Sequence, residues 1–206
     1  MKKILIAFYF ILLMSSVSVW PQQAIDTVVD EKPAEEAPFD FRKTRWGMTR
    51  EDVMKAEGPA DDTVAVSDSL IYTRQLLGKD VRLTYMFTNS TLVGSSYLFL
   101  TVHEKNTDYM TVYEEISEAL KKKYGYPREN NIIWHNDYFK EDPDSYGIAL
   151  GIGHLAFSSR WESVKTKVLS TLEGENGEIR HMIEYRSVEY ESFKKQEHEK
   201  AIMDDL

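Results

Sequence analysis

Five histidines, His103, His135, His154, His181 and His198, are the side chains best suited to hold a metal ion or to move a proton near neutral pH. None is paired with another at the short spacing that sets two ligands on one helix face or one strand. His103-Glu104 is expected to end a strand, His135-Asn136-Asp137 to open a loop, and His198 to sit among the charges of a tail. The loop Asn136 to Tyr146 carries Asp137, Glu141, Asp142 and Asp144, the hard oxygen ligands that calcium takes. It lacks the central Gly and terminal Glu of the twelve-residue calcium loop, so a solvated turn is the simpler reading. No Gly-x-Ser-x-Gly presents a serine nucleophile, and Gly151-Ile152-Gly153 lacks the third glycine of a dinucleotide site. Glu114-Glu115 falls on the outer face of a predicted helix. No catalytic residue, cofactor or metal site is therefore assigned. An enzyme whose site is assembled from distant residues stays an alternative, which metal analysis of the purified protein tests.

The remaining chemistry is aromatic. The chain has four Trp, twelve Tyr and nine Phe. Trp134, Tyr138, Phe139 and Tyr146 cluster around the long loop, while Trp46 and Trp161 each precede a predicted structured segment. Aromatics in strands mostly bury their area in a core. Tyr and Trp are also enriched at binding hot spots, which makes Trp134, Tyr138, Phe139 and Tyr146 the candidate protein interface, with plain packing as the competing reading.

The compartment is expected from the amino terminus. Lys2 and Lys3 precede an apolar run from Ile4 to Met14, and Ser15, Ser16 and Ser18 supply small residues for a signal peptidase. This run is shorter than the roughly 20 apolar residues of a spanning helix, although an uncleaved anchor is the alternative. Residues 1–18 are thus expected to be a signal peptide, with cleavage after Ser18 competing with cleavage after Ala24. Cysteine is absent, which excludes disulfides, thiolate metal sites and a lipid-modified amino-terminal cysteine. The expectation is an exported, periplasmic or secreted protein with no stable membrane anchor after cleavage. Its formal charge of -9 makes nucleic acid and anionic lipid poor partners. The basic groupings Arg42 to Arg50 and Lys121 to Lys123 read as solvated helix or helix-entry faces.

Residues 19–40 are rich in acid, proline and alanine and predict a flexible linker. Thr49 predicts an N-cap for a helix that Gly58-Pro59 stops, with Met48, Val53 and Ala56 able to face a core. Ser69 to Leu77, Val81 to Thr88 and Leu92 to Val102 follow as strands, separated by Gly78-Lys79-Asp80 and Asn89-Ser90. Val81, Leu83, Tyr85 and Phe87 alternate with polar or outward positions, the period of a sheet with one buried face. A second helix is predicted over Asp108 to Tyr124, closed by Gly125 and Pro127. Asn131 to Trp134, Gly147 to Phe157, Ser163 to Glu173 and Glu178 to Arg186 come next, the last two joined by Glu175-Asn176-Gly177. The predicted fold class is α+β: a single domain over 41–188 holding a tandem repeat, 45–102 and 108–186, of a helix followed by an antiparallel meander. One curved antiparallel sheet with helices on one face would result. Residues 189–206 are expected to form a charged terminal helix or tail.

The run Trp46-Gly47-Met48-Thr49-Arg50-Glu51-Asp52-Val53, then Glu57-Gly58-Pro59, Leu83-Thr84-Tyr85-Met86-Phe87 and Leu92-Val93, resembles the domain of the SmpA/OmlA-type outer-membrane assembly lipoproteins. The resemblance covers residues 45 to 100 best. The tandem arrangement is similar to that of the β-lactamase inhibitor protein, whose two such units share one curved sheet. The lipoprotein cysteine is missing here, so anchoring does not carry over, and no second-half motif matches a partner surface. The fold carries over from this resemblance but a partner does not, and the expectation is a non-enzymatic binding or assembly module of the bacterial cell envelope that acts on another envelope protein. An inhibitor or regulator of an exported enzyme, and a carrier of a small ligand or lipid, are the alternatives. Aromatic anchors on one sheet face would favour the inhibitor.

Overall fold

A computed structural model describes residues 39–64 and 68–191. The expected signal peptide, most of the linker and the tail beyond 191 lie outside the described residues. The fold is α+β, built on one eight-stranded antiparallel sheet of order β1-β2-β3-β4-β8-β7-β6-β5. Its first half comprises α1 (Arg50–Glu57), β1 (Asp62–Val64), β2 (Ser69–Leu76), β3 (Lys79–Thr88) and β4 (Thr91–Phe99). The second comprises α2 (Asn106–Tyr124), β5 (Glu129–Trp134), α3 (Tyr146–Gly151), β6 (Leu155–Glu162), β7 (Thr166–Glu175) and β8 (Glu178–Ser187). β4 and β8 pair antiparallel at the centre, from Gly94 against Arg186 to Leu98 against Met182.

Local chemistry sets the helices. Thr49 and Asp52 form a reciprocal capping box, which satisfies backbone donors at the start of α1. Gly58 and Gly125, at φ 92° and 80°, turn the chain out of α1 and α2 in a region that a Cβ disfavours. In α2, Tyr113, Ile116, Ser117 and Leu120 are buried while Glu114, Glu115 and Glu118 face outward, as the helical period predicts.

The alternation in β3 holds. Val81, Leu83, Tyr85 and Phe87 are buried and share a core with Val53 of α1 and Ile116 and Leu120 of α2. Tyr113 of α2, Leu150 of α3 and Leu172 of β7 make a second cluster on the same side of the sheet, packed with Phe157 and Ile179. Phe41 joins the first core at 2% exposure, its ring 4.6 Å from Tyr185 and 5.6 Å from Tyr85. The entering segment is tied down by Trp46, whose indole N–H donates to Thr166 Oγ1 at 2.9 Å, and by backbone bonds of Gly47 and Met48 to Leu92.

Gly147 to Phe157 does not form the predicted strand. Its first part is α3, with Gly147, Ala149, Leu150 and Gly151 buried, and only from Leu155 does the chain become β6. A short apolar run is ambiguous between the two periods. Here glycine spacing decides: a Cβ on Gly147 would lie 3.2 Å from Thr107 Cγ2, and one on Gly151 would lie 2.6 Å from Asn106 Nδ2. Two glycines four residues apart give one helical face that fits against the start of α2, where Asn106 Nδ2 donates to Gly147 O at 2.9 Å.

Smaller differences have similar causes. Ser163 to Thr166 is a turn, closed by Ser163 N–H and Oγ bonding to Thr166 O, so β7 begins later than predicted. β4 stops at Phe99, which leaves His103 in a loop rather than at a strand end. Residues 188–191 begin a helical turn at the end of β8, held by Tyr190 OH donating to Thr88 Oγ1 at 2.9 Å. Among the described residues no helix is long and apolar enough to cross a membrane.

Candidate functional site

The four aromatics singled out in the sequence come together as two contiguous pairs. Trp134, the last residue of β5, meets Tyr146 at the start of α3 edge-on, with ring centroids 5.0 Å apart. Tyr138 and Phe139 form the second pair at 4.8 Å, in the 3-10 turn Asp137–Phe139. That turn is shaped locally: Asn136 Oδ1 accepts from Tyr138 N–H at 2.9 Å, and Tyr146 OH donates to Lys140 O at 2.9 Å. Phe139 leans toward His154, ring centroids 6.0 Å apart, and His135 N–H donates to His154 O at 2.8 Å across the base. Trp134, Phe139 and Tyr146 brace the loop. Tyr138 is 81% exposed.

Four exposed isoleucines that the sequence had not flagged lie on or beside β5 and α3, the elements that flank this loop in the chain. Ile132 and Ile133 of β5 are 63% and 37% exposed, and Ile148 of α3 and Ile152 just beyond it are 54% and 48% exposed. The signal was present in two places. Adjacent Ile132-Ile133 must point to opposite faces of an edge strand, and Ile148 and Ile152, four apart, share the outer side of a short helix.

Two of the loop's acidic residues, Asp137 and Asp142, serve its own turns. Asp137 pairs with Lys140 at 3.3 Å, and Asp142 accepts from Ser145 Oγ at 2.6 Å. Among the described residues no three His, Asp or Glu side chains converge to hold a metal ion. His103 stacks edge-on against Tyr109, and His181 lies inside the sheet-helix core at 2% exposure. His198 lies outside the described residues. Gly151 and Gly153 serve packing: a Cβ on Gly153 would lie 2.8 Å from Gly174 O, and Gly177 N–H reaches Gly151 O at 2.9 Å.

A polar network missed in the sequence lies under the amino-terminal segment. The Arg42 guanidinium grips both carboxylate oxygens of Glu57 at 3.0 and 3.2 Å and donates to Tyr97 OH at 3.3 Å, while Tyr85 OH donates to Glu57 Oε1 at 2.8 Å. Burial alone would raise the Glu57 carboxyl, but bonds from Arg42 and Tyr85 outweigh it and hold the group below its ordinary value. Burial, then the adjacent Glu57 carboxylate, pushes the Tyr85 hydroxyl up. These donors and acceptors are spent on one another, so the network braces the core and offers little to a substrate.

A recess of about 770 Å3 lies between the β7-β8 hairpin and the end of α3. Glu173, Glu175, Glu178, Arg180 and His135 line it with Phe99 and Ile152. The uncovered face of the sheet is set by register: Thr84, Ser96, Glu184, Leu169 and Arg160 run across its middle, one per strand from β3 to β6. The aromatics of β2, β3, β4, β6 and β8 all take the opposite, helix-covered register, from Tyr72 and Tyr85 to Phe157 and Trp161, and β7 carries none. No family model matches the chain, and neither a curated protein nor a solved structure is significantly similar to it.

Proposed function

We propose that this chain is an exported, non-enzymatic protein-binding module of the bacterial cell envelope, and that the loop bearing Tyr138 and Phe139 is its contact surface. The observation that carries the reading is Tyr138: a large aromatic at 81% exposure on a short loop fixed by its own hydrogen bonds. A rigid aromatic loses little side-chain freedom on docking, which is why such residues dominate binding hot spots. Ile132, Ile148 and Ile152 on the flanking β5 and α3 are further exposed apolar side chains near it in the chain.

The inhibitor alternative asked for aromatic anchors on a sheet face, and the uncovered face carries none on the strands named above. The carrier alternative asked for an apolar enclosure, whereas the 770 Å3 recess beside the β7-β8 hairpin has several charged side chains in its wall. The halves 45–102 and 108–186 are proposed to be repeats of one helix-then-meander unit, forming one curved sheet as the resemblance to the β-lactamase inhibitor protein implies. A strand order that runs identically inward from both edges supports this, as does a helix preceding each set of four strands on the same face.

The test is in-cell crosslinking from a photoreactive residue at position 138, with mass spectrometry of what is retained. One reproducible envelope protein, lost in Tyr138→Ala, is the expected result. A protein recovered bare, or carrying only lipid or metal, overturns the reading. Export is tested by the amino terminus of protein from its own host, expected between Val19 and Ile25; an intact Met1 sinks it.

A further inference from the structure

The two edges of the sheet are unequally protected. β1 is three residues long, and Asp61 at its start pairs with Arg74. Short strands and charge are the usual devices that stop edge-to-edge pairing. β5 has six residues, Glu129-Asn130-Asn131-Ile132-Ile133-Trp134, without proline, lysine or bulge, and among the described residues nothing pairs with its outer side. In an antiparallel ladder every second residue of such a strand turns its N–H and C=O outward. Its one charge, Glu129, is already paired with Arg160. Ile132 is 63% exposed.

Charge along this edge is polar from end to end. The strand closely follows the basic end of α2 in the chain, with Lys122 exposed in the last turn of that helix and Arg128, 64% exposed and paired with Glu162 at 3.2 Å, immediately before the strand. Asp137, Glu141, Asp142 and Asp144 follow its other end, all exposed. A two-fold axis near Ile132 would lay β5 antiparallel on β5 of a second copy. That operation sets each basic end beside the other copy's acidic loop, twice over, and places the two Ile132 side chains together. Parallel pairing would set like charge on like.

We infer that β5 is a self-association edge, through which two copies of this chain join their sheets into one continuous antiparallel sheet. The inference goes beyond the envelope-partner reading, and Tyr138→Ala separates the two, since it removes capture and leaves the dimer intact. Sedimentation equilibrium of the full chain from its host is expected to show a dimer. Ile132→Lys should weaken the dimer at least about tenfold without loss of the folded spectrum. A second measurement needs no single variant to be silent. Lys122→Glu/Arg128→Glu makes both ends acidic and Asp137→Lys/Glu141→Lys makes both basic; each should be monomeric alone, and their mixture should form a heterodimer. Monomeric wild-type protein at the highest concentration reached, a dimer that survives Ile132→Lys, or a mixture that stays monomeric overturns the inference.

Discussion

The imidazole of His181 lies flat against the ring of Phe99, centroids 4.2 Å apart and planes 10° from parallel, in the core between β4, β8 and α2. Neither ring nitrogen has a hydrogen-bond partner, and Tyr113, 5.4 Å away, is the titratable ring packed against it from α2. Burial pushes its pKa down to about 3, so the folded protein holds it neutral where the unfolded chain would take a proton. The protonation-linked cost of a depressed histidine is therefore absent above its unfolded value of about 6.5 and grows progressively as pH falls from there toward 3. The loss should approach about 4–5 kcal/mol, because each tenfold drop in proton affinity on folding is worth about 1.4 kcal/mol. His181→Phe should abolish this component of acid unfolding and raise stability at pH 7 by about 1 kcal/mol, because two unpaired buried nitrogens disappear. Urea unfolding at several pH values checks both, and a parallel pH dependence in wild type and variant would refute the assignment.

Arg42 and Glu57 make the converse case, a charged pair whose Glu57 side chain is 2% exposed. Removing one partner strands the other: Arg42→Met should cost about 2–4 kcal/mol, discounted because Arg42 is 29% exposed. Arg42→Met/Glu57→Met should recover most of that loss, since no buried charge remains unpaired. Because the Glu57 carboxyl is held low, the pair's contribution is present above the ordinary glutamate range and lost as pH falls through the folded value. A double-mutant cycle in chemical denaturation measures the coupling, and additive losses would show that Tyr85 and the Lys43 backbone satisfy Glu57 without Arg42.

Most of this framework was legible in the chain because periodicity and punctuation agreed. Thr49 with Gly58, and the alternating Val81 to Phe87, specified α1 and β3 locally, and the α2 stripe needed only one face to bury. What was missed depends on long-range closure. Asp62-Thr63-Val64 is too short and polar to announce a strand, and Tyr146 to Gly151 is helical because Asn106 and Thr107 accept its glycines. The aromatic loop was found by composition, yet only the fold separates Tyr138, which faces solvent, from Trp134 and Tyr146, which brace each other. Arg42 and Glu57 carry no local signal, being 15 residues apart, one before α1 and the other its last residue.

The seat of α3 on the β7-β8 hairpin should be the least forgiving backbone contact in the second half. A Cβ on Gly174 would overlap the carbonyl of Leu150, an atom fixed by α3 rather than by a movable side chain. Gly174→Ala should then cost about 3 kcal/mol or more, by displacing the helix from the sheet. Gly78 provides the control: its φ of 76° disfavours a side chain, but nothing lies within 4 Å of the added atom, so Gly78→Ala should cost only about 1–2 kcal/mol. Thermal unfolding of both variants gives the comparison. Equal losses would mean that α3 shifts freely and does not anchor the aromatic loop.

Anchoring matters because Tyr146, the first residue of α3, holds the loop through its hydroxyl bond to Lys140 O. Tyr146→Phe keeps the ring against Trp134 and removes that bond alone, so it should reduce stability by about 1 kcal/mol or less. Tyr138→Ala, at a position that faces solvent, should change stability by less than about 0.5 kcal/mol. If the loop binds as a preformed surface, the two variants should weaken partner capture for different reasons: loss of the anchor in Tyr138→Ala and loss of its fixed geometry in Tyr146→Phe. Capture that is insensitive to Tyr146→Phe but abolished by Tyr138→Ala would leave the anchor and remove the preorganisation. Capture that is insensitive to both would place the contact surface elsewhere on the fold.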